Sequence, residues 1–309
     1  MPRFDVRLII AGYFSLQAFG TFAWWTMLLI EPTWMEWFQP SVWPKQVLIS
    51  FLVPDLLFLV IGSLLTAYAV LRQRVWSTLT IWSTLMAGLY PTFFCIAASV
   101  QTGEAWIAAA LMSAMSGLML AMATIHGTPN QSPAAIRVTE MPPATAILWT
   151  AFQVAIFWSI FLWILPLGVN EFEQRLGWPA FVHPGQTGLS MTLFLIASVG
   201  GLWSGWTLAS RGNGTPLPTA TAAELVIAGP YRYVRNPMAL TGVVQGAAIG
   251  WQLGSYTLIA GAILCGCFWH LIVRPVEEAD LHQRFGSSYA DYQKAVGLWI
   301  PRVKPYGAH

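Results

Sequence analysis

The chain has 309 residues, 56% of them hydrophobic and 9% charged, with a formal net charge of +2. A soluble domain carries about 25% charged residues, so a single water-soluble core is excluded and the bulk solvent of this chain is lipid. The small net charge comes without a basic cluster, and no nucleic-acid partner is expected.

A transmembrane helix needs about 20 apolar residues. In chain order the candidates are 6–30, 47–71, 77–101, 105–125, 146–169, 187–209, 238–255 and 257–273. The first is too long for a signal peptide and lacks a small-residue cleavage site, so it is read as a span. The seventh is short, and the last two could form one hairpin that does not fully cross. The fold class predicted is all-α, a polytopic transmembrane helical bundle of about eight spans. The seventeen tryptophans suit membrane interfaces.

Lys and Arg set the orientation. With the N-terminus inside, the cytoplasmic side receives Arg3, Arg7, Arg72, Arg74, Arg137, Arg211, Arg232, Arg235, Arg274, Arg284, Lys294, Arg302 and Lys304. The other side receives only Lys45 and Arg175. Both termini are therefore expected in the cytoplasm.

Residues 1–125 form a four-span region without an assigned role. The stretch 126–145 is polar and proline-rich and reads as a cytoplasmic linker. Residues 146–309 hold two further spans, the polar segment 211–237, a helical hairpin and the polar segment 274–306. The three cysteines, Cys95, Cys265 and Cys267, lie in apolar runs and are read as small fillers rather than disulfide or metal ligands. No metal site is expected.

Gly242, Gly246, Gly250 and Gly254 recur every four residues. On a helix they make one smooth ridge that lets a neighbouring backbone approach. Helix eight, with Gly261 and Gly266, is the expected partner.

Polar groups inside a membrane protein are costly, so their clustering points to function. Asp55 is the one carboxylate deep in the first half, and is read as a hydrogen-bonded structural acid more than a transport residue. His270 within the last span is expected to bond a neighbour, and His282 to face solvent. The main clusters flank the hairpin. Arg232 and Arg235 precede Pro237. Arg274, Glu277 and Glu278 share one helical face, with Pro275 between them to loosen the helix. Tyr231, Tyr233, Tyr289 and Tyr292 add amphipathic rings. Two adjacent acids at an inner leaflet need partners or a ligand.

Three motif blocks follow in order. The first is Gly212 with Gly214-Thr215-Pro216 and Pro218. The second is Leu225-Val226 with Gly229 through Met238. The third is Glu277-Glu278, Leu281, Phe285-Gly286, Tyr289, Tyr292 and Trp299-Ile300-Pro301. Together they resemble the isoprenylcysteine carboxyl methyltransferase and phospholipid methyltransferase superfamily, over about residues 190–306. The resemblance implies S-adenosylmethionine as cofactor, bound on the cytosolic side between the Arg-Asn-Pro and Glu-Glu segments. It nominates Tyr231, Arg235, Asn236, Pro237, Arg274, Glu277, Glu278 and Tyr289 for cofactor binding, and Arg235, Glu277 and Glu278 for catalysis. The implied partners are the bilayer and a lipid-borne or small apolar methyl acceptor bearing a carboxylate, thiol or amine. Many members have His in place of Asn236 and Tyr in place of Ala239. Asparagine does not titrate near neutral pH, and alanine widens the mouth of the site. A nicotinamide-dependent membrane reductase of similar outline is a second reading. A transporter or scaffold is a third, and it predicts paired charges in mid-membrane.

Overall fold

The computed structural model describes residues 6–126, 142–212 and 224–307. Among these, every long element is helical: α1 Val6–Ile30, α2 Lys45–Leu71, α3 Ser77–Thr102, α4 Trp106–His126, α5 Pro143–Arg175, α6 Gln186–Gly212, α7 Pro237–Leu253 and α8 Tyr256–Ala295. Only helices and closed barrels satisfy every backbone group inside lipid, which is why so apolar a chain folds this way. Seven of the eight are long and apolar enough to cross a membrane, and the chain is a multi-pass membrane protein. The exception is α7. Its 17 residues reach about 25 Å at 1.5 Å per residue, short of a hydrocarbon core of about 30 Å. The expected eighth full span is thus a shorter helix in a hairpin with α8.

The most extended departure from the sequence reading is α8. The last span was expected to end near residue 273, but the helix runs on to Ala295. A π-helical turn at Trp269–Val273 precedes Pro275. Widening the ladder there absorbs the missing N–H and the ring clash of proline without stopping the helix. Similar π turns abut Pro54 in α2 (Asp55–Ile61) and Pro166 in α5 (Trp158–Ile164). A break in α8 comes later, at Gly286, where φ is 51°.

The chain separates into two compact units: Met1–Asn130 with Trp163–Trp178, and Gln131–Leu162 with Pro179–His309. The division falls inside α5 at its π turn, not at the expected linker 126–145, most of which lies outside the described residues.

In the first unit α1 to α4 pack around Ile10, Phe14, Val70, Ile81, Leu85 and Met119. Lipid gives no hydrophobic drive between helices, so small residues and polar bonds hold them. Gln17 Nε2 donates to Ser63 Oγ at 3.1 Å, Thr66 and Thr84 bond at 3.2 Å, and Thr92 and Ser116 bond at 2.7 Å. Glu171, in the last turns of α5, takes the backbone N–H of Trp106 at 2.5 Å. The carboxylate thereby caps the N-terminus of α4, where the helix dipole favours a negative charge.

In the second unit α7 lies between α6 and α8. Gly200 and Gly201 of α6 admit Thr241 of α7. Buried Gln245 donates to Ser198 Oγ at 3.0 Å, and Gln186 Nε2 donates to the Trp251 carbonyl at 2.6 Å. The glycine ridge of α7 serves packing over most of its length. A Cβ on Gly246 would stand 3.1 Å from that of Ala262, and one on Gly250 would stand 2.8 Å from the backbone N of Ile259. Gly254 adopts φ 66° to end α7 and presses on the backbone of Phe181. Gly242 faces open space, as does Gly261, while Gly266 fits Val243 and Trp299.

Gly254→Ala should therefore be costly, through the left-handed backbone alone by about 1–2 kcal/mol and through the collision with Phe181 besides. Gly242→Ala should leave the thermal unfolding midpoint in detergent unchanged or slightly raised. Equal midpoints for the two variants would contradict this packing.

Candidate functional site

The site is built by three stretches of the second unit: the 3-10 turn Gly229–Arg232 with the residues up to Asn236, the first half of α8 beyond Val273, and the tail from Val296 to Tyr306. The tail runs beside the 231–236 segment. Arg235 N donates to the Gly297 carbonyl, Arg302 N to that of Tyr233 and Tyr306 N to that of Arg232, each at 2.9 Å. Side chains reinforce the pairing. Arg232 Nε reaches the Tyr306 carbonyl and Arg235 Nε that of Val296, both at 2.8 Å, and buried Tyr292 donates to the Tyr231 carbonyl at 2.6 Å. Beneath lies an apolar cluster of Tyr289, Tyr292 and Val296 with Leu225, Ile227, Leu281 and Phe285. Trp299 seals the other flank, edge-on to Trp269, with its indole N–H on His270 Nδ1 at 3.3 Å.

Glu278 is the hub. Guanidinium nitrogens of Arg235 and Arg274 both bond its Oε1, and the Tyr289 hydroxyl donates to the same oxygen at 3.1 Å. The side chains of Arg235, Arg274 and Glu278 are 13%, 9% and 22% exposed. One carboxylate thus holds two cations together at the place where α8 meets the start of α7. Arg235 and Glu278 have their bonding capacity largely taken by the fold.

Asn236 is also occupied locally. Its side-chain oxygen accepts from the Ala239 N–H at 3.0 Å and caps α7. Capping needs an acceptor two or three residues ahead of orphan N–H groups, which asparagine supplies as well as any residue. Pro237 is buried at the first position of α7, where its missing N–H costs nothing.

The remaining nominated groups are less committed. Glu277 is half-buried and makes no hydrogen bond among the described residues, although the charges of Arg274 and Glu278 reach it. Arg274 Nη1 is buried with no partner among those residues. The Tyr231 hydroxyl lies within electrostatic reach of Glu277; burial first, then Tyr292 and Glu277, pushes its ionisation well above the usual tyrosine value. It therefore stays a neutral hydrogen-bond donor. A carboxylate acceptor, a guanidinium donor and a phenol donor stand together with capacity to spare, next to an ion-pair hub that holds them still.

Other groups fall outside this arrangement. His282 is exposed and bonds Gln293 Oε1 at 2.9 Å. Asp280 pairs with Arg284 one turn along α8. The motif residues Gly214-Thr215-Pro216 and Pro218 lie outside the described residues. The tail's backbone carbonyls, which orient Arg235, were not foreseen. Only the Trp299-Ile300-Pro301 block hinted that the tail belongs to the site.

Residues 186–288 match the family model described as phospholipid methyltransferase. No curated protein matches the chain. A solved eukaryotic intramembrane Ras methyltransferase, isoprenylcysteine carboxyl methyltransferase, aligns at 14% identity over 96% of this chain and 99% of that chain, with a TM-score of 0.32.

Two variants separate support from binding. Glu278→Ala leaves two buried guanidinium groups facing one another and should destabilise the second unit by about 3 kcal/mol. Glu277→Ala removes no hydrogen bond and should leave the unfolding midpoint within about 0.5 kcal/mol of the parent. Tyr292→Phe, which orphans the Tyr231 carbonyl, should cost about 1 kcal/mol. Thermal denaturation of the detergent-solubilised variants reads all three. A Glu278→Ala protein as stable as the parent would remove the hub.

Proposed function

We propose that the chain is a membrane methyltransferase dependent on S-adenosylmethionine, with Tyr231, Arg274 and Glu277 binding the cofactor and the Arg235–Glu278 pair holding them in place. The observation that carries the reading is the pair formed by the unpartnered Arg274 Nη1 and the unpartnered Glu277 carboxylate. Both lie inside the stretch that matches the phospholipid methyltransferase family.

The groups suit the ligand. S-adenosylmethionine offers a carboxylate, which matches a guanidinium, and ribose hydroxyls and an ammonium, which match a carboxylate. Bound there, it would supply a methyl group activated by its positively charged sulfur. Arg274 would hold the amino-acid carboxylate and satisfy its own stranded nitrogen. Glu277 would accept from the ribose or from the ammonium. Tyr231, held neutral, would donate without adding charge. The four charges Arg235, Arg274, Glu277 and Glu278 sum to zero, so the site needs no counterion when empty of ligand.

The protein's part in the transfer is positioning. Holding donor and acceptor in line converts a bimolecular encounter into a local one. The apolar cluster under Tyr289 and Tyr292 and the flank sealed by Trp299 keep water from the site, which strengthens its electrostatics. No group here is placed as a general base: Arg235 and Glu278 are bonded to each other, and Asn236 is a helix cap. The acceptor is then one already nucleophilic, such as a carboxylate or thiolate, or an amine that loses its proton to water. Ala239 in place of a larger ring leaves room for it, and a lipid-borne acceptor could enter from the bilayer. The distribution of Lys and Arg along the sequence supports a cytoplasmic mouth.

Titration calorimetry of S-adenosylmethionine into the detergent-solubilised protein tests the assignment. Saturable binding is expected, weakened about tenfold or more in Glu277→Gln, the loss of one charge-assisted bond, with an unchanged unfolding midpoint. Absence of binding by folded parent protein, or undiminished binding by Glu277→Gln, would overturn it. A labelled methyl donor with lipid extracts then identifies the acceptor.

A further inference from the structure

The first unit encloses a cavity of about 370 Å³, within the range of small-molecule sites. Its walls come from α1, the loop after it, α2, α3 and α4, and they are overwhelmingly apolar: Leu48, Phe51, Leu59, Phe94 and Met112 are typical. Asp55 is the only charged residue among the lining side chains. Its Oδ2 accepts from the Trp25 indole N–H at 3.0 Å, and its other oxygen makes no hydrogen bond among the described residues.

Two more lining side chains carry acceptors without partners. Gln17 Oε1 and Gln39 Oε1 are buried and unbonded among the described residues, although the amide nitrogens of both are bonded. The wall therefore presents a surplus of acceptors, one of them a carboxylate. A carboxylate in a membrane core is costly without a cation, and no protein cation lines this space.

The cavity also has a mouth. Leu16 and Gly20 on α1 and Leu111 and Leu118 on α4 line it and are exposed. A Cβ on Gly20 would meet no atom within 4 Å. The opening is thus on the lipid-facing surface between two helices, wide at the glycine.

We propose that this cavity binds a lipophilic amine, which enters sideways from the bilayer and sets its ammonium on Asp55. The ammonium supplies the missing cation and only donors, matching a wall that offers acceptors. The hydrocarbon body fills the space between α1 and α4. The site lies wholly within the first unit and is independent of the proposed methyl transfer.

The full-length protein in phosphatidylcholine nanodiscs is titrated with decylamine, decanol and decane, with empty discs as the reference for partitioning. Saturable decylamine binding is expected, about tenfold tighter than decanol, as a charge-assisted bond requires. Asp55→Asn, which keeps an acceptor for Trp25, should abolish the preference for the amine. Gly20→Leu, which has room to fold, should block binding of all three while leaving the unfolding midpoint unchanged. Decanol binding as tightly as decylamine, or a preference that survives Asp55→Asn, would overturn the assignment of the head group. Binding that persists in a folded Gly20→Leu protein would overturn the cavity as its place, and saturable binding of decane alone would show a space that only packs lipid tails.

Discussion

One carboxylate oxygen sets the geometry of the second unit. Glu278 Oε1 receives Arg235 from the segment before α7, Arg274 from one turn earlier on α8, and the hydroxyl of Tyr289 from beyond the Gly286 break. Charged groups this enclosed are tolerated only when each finds a partner. That demand fixes the spacing of α8 from the chain entering α7, and through Arg235 Nε and its backbone N–H it also fixes the tail. Groups beside the hub inherit its rigidity. Glu277 and the spare nitrogen of Arg274 can therefore stay unbonded within the fold and still be well placed, as a preorganised binding site requires.

This arrangement divides labour between adjacent acids. Glu278 and Glu277 are neighbours in sequence, yet successive helix positions point about 100° apart. One turns into the ion-pair network, and the other faces the Tyr231 hydroxyl. Arg274 serves both, its Nη2 bonding Glu278 and its Nη1 left over. Asn236 shows a similar economy. A side chain expected at the cofactor instead ends a row of orphan N–H groups, so its conformation is set by the helix it starts.

Close helix approach in lipid depends on small residues, and the second unit places them where two backbones meet. Gly246 and Gly250 bring α7 onto α8, and Gly200 and Gly201 bring α6 onto Thr241. The first unit relies more on hydroxyl and amide bonds between helices, such as Thr92 with Ser116 and Gln17 with Ser63. Those bonds leave acceptors over on Gln17 and Asp55, and the cavity they line has no counterpart in the motif blocks of the sequence.

The sequence by itself determined the solvent, the helical class and nearly all of the spans, because hydrophobicity over 20 residues is a local property that lipid enforces directly. It also located the polar segments of the site, because charges in so apolar a chain stand out. It misplaced the end of the last span, since a proline reads as a stop while a π turn beside it lets α8 continue. It treated Glu277 and Glu278 as equivalent and assigned Arg235, Asn236 and Glu278 to a ligand. Which acid is consumed by the fold depends on Arg235, 43 residues away, and on a tail that pairs with residues 232–235. Likewise, Asp55 is visible as a lone acid, but the space beside it exists only once four helices and a loop are assembled. Such roles follow from contacts between distant segments, and those only the tertiary structure decided.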